Sequence, residues 1–303
     1  MKKNKLNNNA GLTLIEILIG IAISAMMMGA MYTTYNVVNN SYSQVTDRAK
    51  ISRSGRDIIA MLMRDIRLAG FKYYYGVNTD GIPKNDYLQY VGGTSEVQDS
   101  HDPIIIIKND LGYETDDTTV PNRDTQINTN DMCCDKIHIV YGDFDRTDTE
   151  QPYKRYKITY FAMRSPNTAE KHYGIYKSKE SWIQPIDQDA VGWTALCVEC
   201  YSAELIRDHV TDMEFNAFDN QGKIIYPPPD PDNPDTRGDL YNIKIVDVRL
   251  TFRSKREFFR SDAPDQEPRI VKGLGERTRE FFDKFLRDSV VVTVYTRNIG
   301  AGN

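Results

Sequence analysis

Proline is missing from the first 82 of the 303 residues, appearing first at Pro83, so nothing in that stretch forbids one very long helix. An excess of positive charge is also missing. Lys and Arg number 38 against 43 Asp and Glu, a formal net charge of -5, which gives no global attraction for phosphate; no nucleic-acid partner is expected. His is scarce, at four residues, and His101, His138, His172 and His209 show no HExxH or similar spacing. A GxSxG elbow, a P-loop and a dinucleotide fingerprint are likewise lacking, so the sequence offers no cofactor site and no recognisable catalytic constellation. Cysteine is limited to Cys133, Cys134, Cys197 and Cys200.

What the chain does have is one concentrated apolar run in an otherwise polar protein of mean hydropathy -0.54. Residues 1–11, MKKNKLNNNAG, carry Lys2, Lys3 and Lys5 and no acidic group, a basic leader of the kind retained in the cytoplasm. From Leu12 to Met31 the chain reads LTLIEILIGIAISAMMMGAM, with Glu16 as its only ionisable side chain. About twenty helical residues cross roughly 30 Å of hydrocarbon. A secretory signal has a shorter apolar core and a small-residue cleavage site on its far side, whereas Gly11 lies on the near side. A carboxylate inside a spanning helix costs about 2.5–3.5 kcal/mol on insertion scales, so Glu16 calls for a partner.

The run Gly11, Leu12, Thr13, Leu14, Ile15, Glu16 resembles the prepilin processing motif of type IV pilins and type II secretion pseudopilins. The resemblance implies that a prepilin peptidase cuts between Gly11 and Leu12 and methylates the new amine, although the family usually begins its mature chain with Phe. It also implies that Glu16 neutralises the terminal amine of a neighbouring subunit. Opposite charges paired in a low-dielectric filament core offset the burial of each.

Beyond Met31 the pattern turns amphipathic. Val45, Ala49, Ile51, Ile58, Ile59, Leu62 and Ile66 recur at helical spacing, with Arg48, Arg53, Arg56, Asp57, Arg64, Asp65 and Arg67 between them. One helix is predicted from about Leu12 to Ala69, weakened at Ser54 and Gly55 and stopped at Gly70. Short β-branched and aromatic runs then predict strands at Ile104–Ile107, Lys136–Tyr141, Tyr156–Met163, Gly174–Tyr176, Met213–Phe218, Ile243–Phe252 and Val290–Tyr295. Glu276–Arg287 reads as a short helix with Phe281, Phe282, Phe285 and Leu286 on one side. The polar stretches Val77–Asp102 and Asp110–Asp131 and the proline-rich, acidic Tyr226–Asp239 read as solvent-exposed connections. The expected fold is α+β and pilin-like, with a long N-terminal helix packed on an antiparallel sheet. It divides into a leader at 1–11, a membrane or filament-core helix at 12–31, its amphipathic continuation at 32–70 and an exported globular domain at 71–303.

Met63–Phe71, Leu205–Gly222, Val246–Ser254 and Val290–Asn298 loosely resemble the body of PilW-type minor pilins. That resemblance implies a non-enzymatic structural subunit acting in pilus initiation or at the tip. Its partners would be other major and minor pilins, the prepilin peptidase and the inner membrane. The chain would cross that membrane once before assembly, with its globular part outside the cytoplasm, and would stand in the pilus afterwards. A minor pseudopilin of a type II secretion system keeps the same architecture, and a tip adhesin or DNA-uptake module would use the inserted loops.

Outside the cytoplasm the cysteines can oxidise. Because adjacent cysteines rarely bond each other, a disulfide is expected between the Cys133–Cys134 and Cys197–Cys200 segments, with a four-thiolate zinc site as the alternative. Asp230, Asp232 and Asp235 offer oxygen ligands for calcium, but without the twelve-residue loop pattern; a solvated loop is the favoured reading.

Overall fold

A computed structural model of the chain describes residues 13–71, 102–108, 134–144, 153–164, 172–183, 192–257, 269–274 and 278–299. Gly11, Leu12, Cys133, His101 and most of the two polar stretches 77–102 and 110–131 lie outside the described residues. The chain divides into two compact units, residues 1–49 and 50–303.

The first described element, helix α1, is Leu14–Leu68, 55 residues without a proline. In the first unit its apolar side chains have no protein cover: Leu14, Ile17, Leu18, Ile21 and Met26 are all exposed. In the second unit the same helix carries a buried stripe of Ile51, Ile58, Leu62 and Ile66, continued by Ala69 just past its end, and the steps of seven, four, four and three residues keep one face turned to the sheet. Leu62 and Ile66 are fully buried, and each such side chain stabilises by about 1.5–3 kcal/mol.

The helix stops where Gly70 adopts φ +72, a left-handed conformation that glycine takes without a Cβ penalty. The freed ends are then satisfied by the sheet domain. Gly70 N donates to Val140 O at 2.9 Å, Gly142 N donates to Phe71 O at 2.8 Å, and Asn298 Nδ2 donates to Arg67 O at 2.8 Å.

The sheet is built from β1 (Ile104–Ile107), β2 (Lys136–Phe144), β3 (Tyr153–Arg164), β4 (Tyr173–Ile183), β5 (Gly192–Thr194), β6 (Tyr201–Phe218), β7 (Ile224–Ile225), β8 (Ile245–Glu257) and, after a separate pair, β11 (Phe285–Tyr295). Its path is β1-β2-β3-β4-β6-β8-β11, every neighbour antiparallel, with β5 on β4 and β7 on β6. Chain order and spatial order therefore agree along the path, as in a meander. The separate pair is β9 (Arg269–Lys272) with β10 (Thr278–Phe281). The expected α+β class, a long N-terminal helix with an antiparallel sheet, is the class observed. Every predicted strand is present, and all but β1 run longer than predicted.

Gly55 lies at a close approach of helix and sheet. A Cβ there would sit 3.0 Å from Phe252 Cε2 and 3.1 Å from Val290 Cγ2. Gly55→Val is therefore expected to destabilise the domain by about 1–3 kcal/mol through overpacking. In Gly55→Ala the gain in helix propensity, about 1 kcal/mol, opposes a milder contact and leaves stability nearly unchanged. Urea unfolding of the detergent-solubilised chain checks both; a Val variant as stable as the parent would contradict this packing.

Two expectations are corrected. Glu276–Arg287 is not a helix: its described residues form β10, a bend at 283–284 and the start of β11. The aromatic rings that suggested a helical face instead find cationic partners, with Arg287 over Phe281 at 3.7 Å and Arg253 over Phe285 at 4.1 Å. Tertiary contacts outweigh a weak local pattern here. Tyr226–Asp239 is not wholly a solvated connection either, because it ends in α2 (Pro234–Arg237) and runs into a 3₁₀ turn, Gly238–Asn242. Arg237 is buried and Arg237 Nη2 donates to Asp102 Oδ2 at 2.6 Å, which fastens the excursion to the strand side of the domain.

Candidate assembly site

The apolar first part of α1 begins at a cap formed by Thr13 and Glu16. Thr13 N and Thr13 Oγ1 each donate to Glu16 Oε2 at 2.9 Å, and Glu16 N donates to Thr13 Oγ1 at 3.3 Å. This reciprocal pattern is a capping box, in which residues three apart satisfy backbone donors that a helix start leaves orphaned. Glu16 thus has a use within its own chain that its spacing from Gly11 did not suggest. The capping use needs one carboxylate oxygen, Oε2, and either Glu or Gln satisfies it. A negative charge is required only by a cationic partner.

The helix that follows is long and apolar enough to cross a membrane, with a mean hydropathy of 2.1 over its best 18-residue window. None of that window is buried by the protein itself. Gly20 and Gly29 have open space where a Cβ would project, so small residues here leave notches in the apolar surface. An uncovered apolar surface of this length in water carries a large free-energy penalty, which lipid or neighbouring helices remove.

The cysteines require a correction. Cys197 and Cys200 are bonded to each other, their Cα atoms 4.9 Å apart across a turn closed by Cys200 N donating to Cys197 O at 3.0 Å. That separation lies within the span a disulfide bridges. Cys134 is itself disulfide-bonded, and since Cys197 and Cys200 have each other, no link joins the two segments. Oxidised sulfurs are not thiolate ligands, so the four-thiolate zinc alternative also falls. The Cys197–Cys200 link closes so short a loop that it stabilises by roughly 2 kcal/mol in the chain-entropy model, against roughly 4 kcal/mol for a crossed link of about sixty residues.

The acidic residues proposed for calcium are engaged in turns. Asp230 Oδ1 accepts from Asp232 N at 2.9 Å, and Asn233 Oδ1 accepts from Asp235 N at 3.0 Å as the cap of α2. Among the described residues, the carboxylates of Asp230, Asp232 and Asp235 do not converge as a three-ligand set.

Two buried polar clusters were not anticipated. Asp65, on the apolar stripe of α1, is 1% exposed and receives Tyr160 Oη at 2.6 Å and Lys177 Nζ at 2.7 Å. Burial, reinforced by the Asp65 charge, pushes the Tyr160 hydroxyl far above its ordinary value, so it remains a donor. Beside this cluster a cavity of about 460 Å³ is lined by Arg64, Lys179, Glu199 and Tyr201, among others. Lys179 pairs with Glu199 at 2.8 Å and lies 4.2 Å over the Tyr156 ring, so its charge is already balanced. The second cluster is Asp135, fully buried, which accepts from Lys108 Nζ and Phe215 N at 2.9 Å each and ties the start of β2 to β6. His138 bonds Thr159 Oγ1 through Nδ1 at 2.8 Å, and burial, helped by Lys136 and Lys157, lowers it to about 3, which keeps it neutral.

Residues 6–32 match the family described as the prokaryotic N-terminal methylation motif. No curated protein matches the chain at a significant level. Among solved structures, a type IV-like pilin from Thermus thermophilus is similar over 82% of this chain and 97% of that one, at 7% identity and a TM-score of 0.36.

Proposed function

We propose that the chain is a minor subunit of a type IV pilus, held in the inner membrane by α1 before assembly and built into the filament core by the same helix afterwards. The observation that carries this reading is the methylation motif over residues 6–32, which takes in the start of an apolar helix whose surface the chain itself does not cover. In this reading residues 1–11 are a leader removed by prepilin peptidase, and residues 12–31 span the membrane. Residues 32–70 continue the helix into the exported domain, 71–303. Glu16 then serves twice, closing its own helix start through Thr13 and neutralising the Leu12 amine of a neighbouring subunit. Major and minor pilins are the partners, and the work of the chain is structural and not catalytic.

Processing tests this. Mass spectrometry of the membrane-extracted chain is expected to find an N-terminal peptide beginning at Leu12, methylated on its amine, and to find residues 1–11 retained when the prepilin peptidase is deleted. A chain that keeps residues 1–11 in the presence of an active peptidase would contradict the reading.

A further inference from the structure

We propose that His172, Asp208 and His209 form a binding site for one divalent transition-metal ion of the zinc class, in the globular part of the chain and separate from the assembly helix. The three side chains offer two imidazole nitrogens and a carboxylate oxygen, all within 4.8 Å of one another. His172 Nε2 lies 2.8 Å from Asp208 Oδ1, and His209 Nε2 lies 3.9 Å from Asp208 Oδ2. The two rings face each other with centroids 4.3 Å apart.

The backbone is arranged to produce this set. In a regular strand Asp208 and His209, being adjacent, would point to opposite faces. On β4 and β6, however, Tyr173 pairs with Val210 and Ile175 with Arg207, so Gly174 alone faces both Asp208 and His209. This is a β-bulge, a device that re-aims a side chain. His209 takes φ 60, a left-handed conformation unusual for a residue with a Cβ. Gly174 permits the close approach, since a Cβ there would meet Leu205 Cδ1 at 2.7 Å. His172 comes from the residue just before β4, so the three ligands bridge two strands exactly where their ladder is broken.

Two imidazoles and one carboxylate suit zinc, nickel or copper better than calcium or magnesium, which favour oxygen alone. Tetrahedral zinc at about 2.0–2.1 Å from each donor sets donors about 3.3 Å apart. The present separations reach that by side-chain shifts of about an ångström. His172 is buried while Asp208 and His209 are partly exposed, so one side of the site is open to an arriving ion and to a water as fourth ligand.

The test uses the tag-free full chain in detergent, stripped with a chelator and titrated with Zn²⁺ against a chromogenic chelator, and in parallel with Co²⁺ followed by visible absorption. About one equivalent of Zn²⁺ is expected, with Co²⁺ absorption typical of four or five ligands and no sulfur charge-transfer band. His172→Gln, His209→Gln and Asp208→Asn should each weaken Zn²⁺ by at least about tenfold, whereas His101→Gln should not. Unchanged affinity in folded His172→Gln and His209→Gln chains would overturn the proposal. If those variants do not fold, the Co²⁺ spectrum of the parent decides: absorption no stronger than that of hydrated Co²⁺ at stoichiometric metal overturns it as well.

Discussion

A Glu16→Gln chain is expected to reach the membrane in normal amounts and to be more than about a hundredfold depleted from filaments. Gln keeps a carbonyl oxygen at the position that accepts from Thr13 N and Thr13 Oγ1, so the capping box and the helix start survive. Removing the charge also eases insertion. What the proposed function loses is the pairing with a neighbour's amine. Breaking a buried ion pair costs about 3–5 kcal/mol, and each 1.4 kcal/mol is tenfold in an equilibrium. Thr13→Ala gives the opposite test, because it weakens the cap by about 1 kcal/mol and leaves the charge in place. Quantifying the chain in sheared filaments relative to membranes separates the two roles. Equal incorporation of the Gln variant would mean that capping accounts for Glu16 completely.

Asp65→Ala should destabilise the globular part by about 3–5 kcal/mol, the largest single-residue effect on stability we expect. The substitution leaves Lys177, whose side chain is 7% exposed, without its carboxylate partner, and it removes the acceptor of Tyr160 Oη. The sign of the pair as a whole is different. Replacing a buried ion pair by apolar groups is often near neutral, so Lys177→Met in the Asp65→Ala background should recover much of the loss. Urea unfolding of the detergent-solubilised single and double variants reads both effects. A single-variant loss below about 1 kcal/mol, the range of exposed pairs, would show that the cluster is not sequestered from water.

Asp65 also illustrates what the sequence discloses and what it hides. The periodicity of Ile51, Ile58, Leu62 and Ile66 announced the buried stripe, and the same arithmetic places Asp65 three residues from Leu62 and four from Ala69, on that face. Read by polarity it falls among the charged residues between the apolar positions; read by spacing it is a buried carboxylate that needs partners. Its partners, Tyr160 and Lys177, come from β3 and β4, and no local pattern links them to α1.

The strands of the path β1-β2-β3-β4-β6-β8-β11 were legible because β-branched and aromatic runs between turn residues are a short-range signal, whereas β5, β7, β9 and β10, each of four residues or fewer, gave none. The end of α1 was equally plain, since Gly70 takes the left-handed conformation for which glycine is suited. The cluster at His172, Asp208 and His209 was not legible, because strand alternation predicts that neighbouring Asp208 and His209 diverge and only the bulge opposite Gly174 reverses that. The cysteine pairing failed for a related reason. Proximity in the fold was inferred from the rarity of adjacent bonds, while the turn at Cys197–Cys200 closes locally before any longer link is needed.

The motif behind the proposed assembly site is local in the sequence. Gly11, the apolar run and Glu16 lie within one short segment, and their meaning comes from the order in which charge, small residue and hydrocarbon follow one another. The capping partner, Thr13, lies in the same segment and fits the [ST]-x-x-[DE] pattern of a helix start. That signal was present and was masked by the stronger one.

The most direct measurement of the central claim is quantitative mass spectrometry of filaments sheared from intact cells and separated from membrane fragments. The account predicts that the chain is present in them, substoichiometric to the major subunit, with an N-terminal peptide that starts at a methylated Leu12. Filaments that contain the major subunit but none of this chain, while the chain stays in the membrane fraction with residues 1–11 attached, would contradict it.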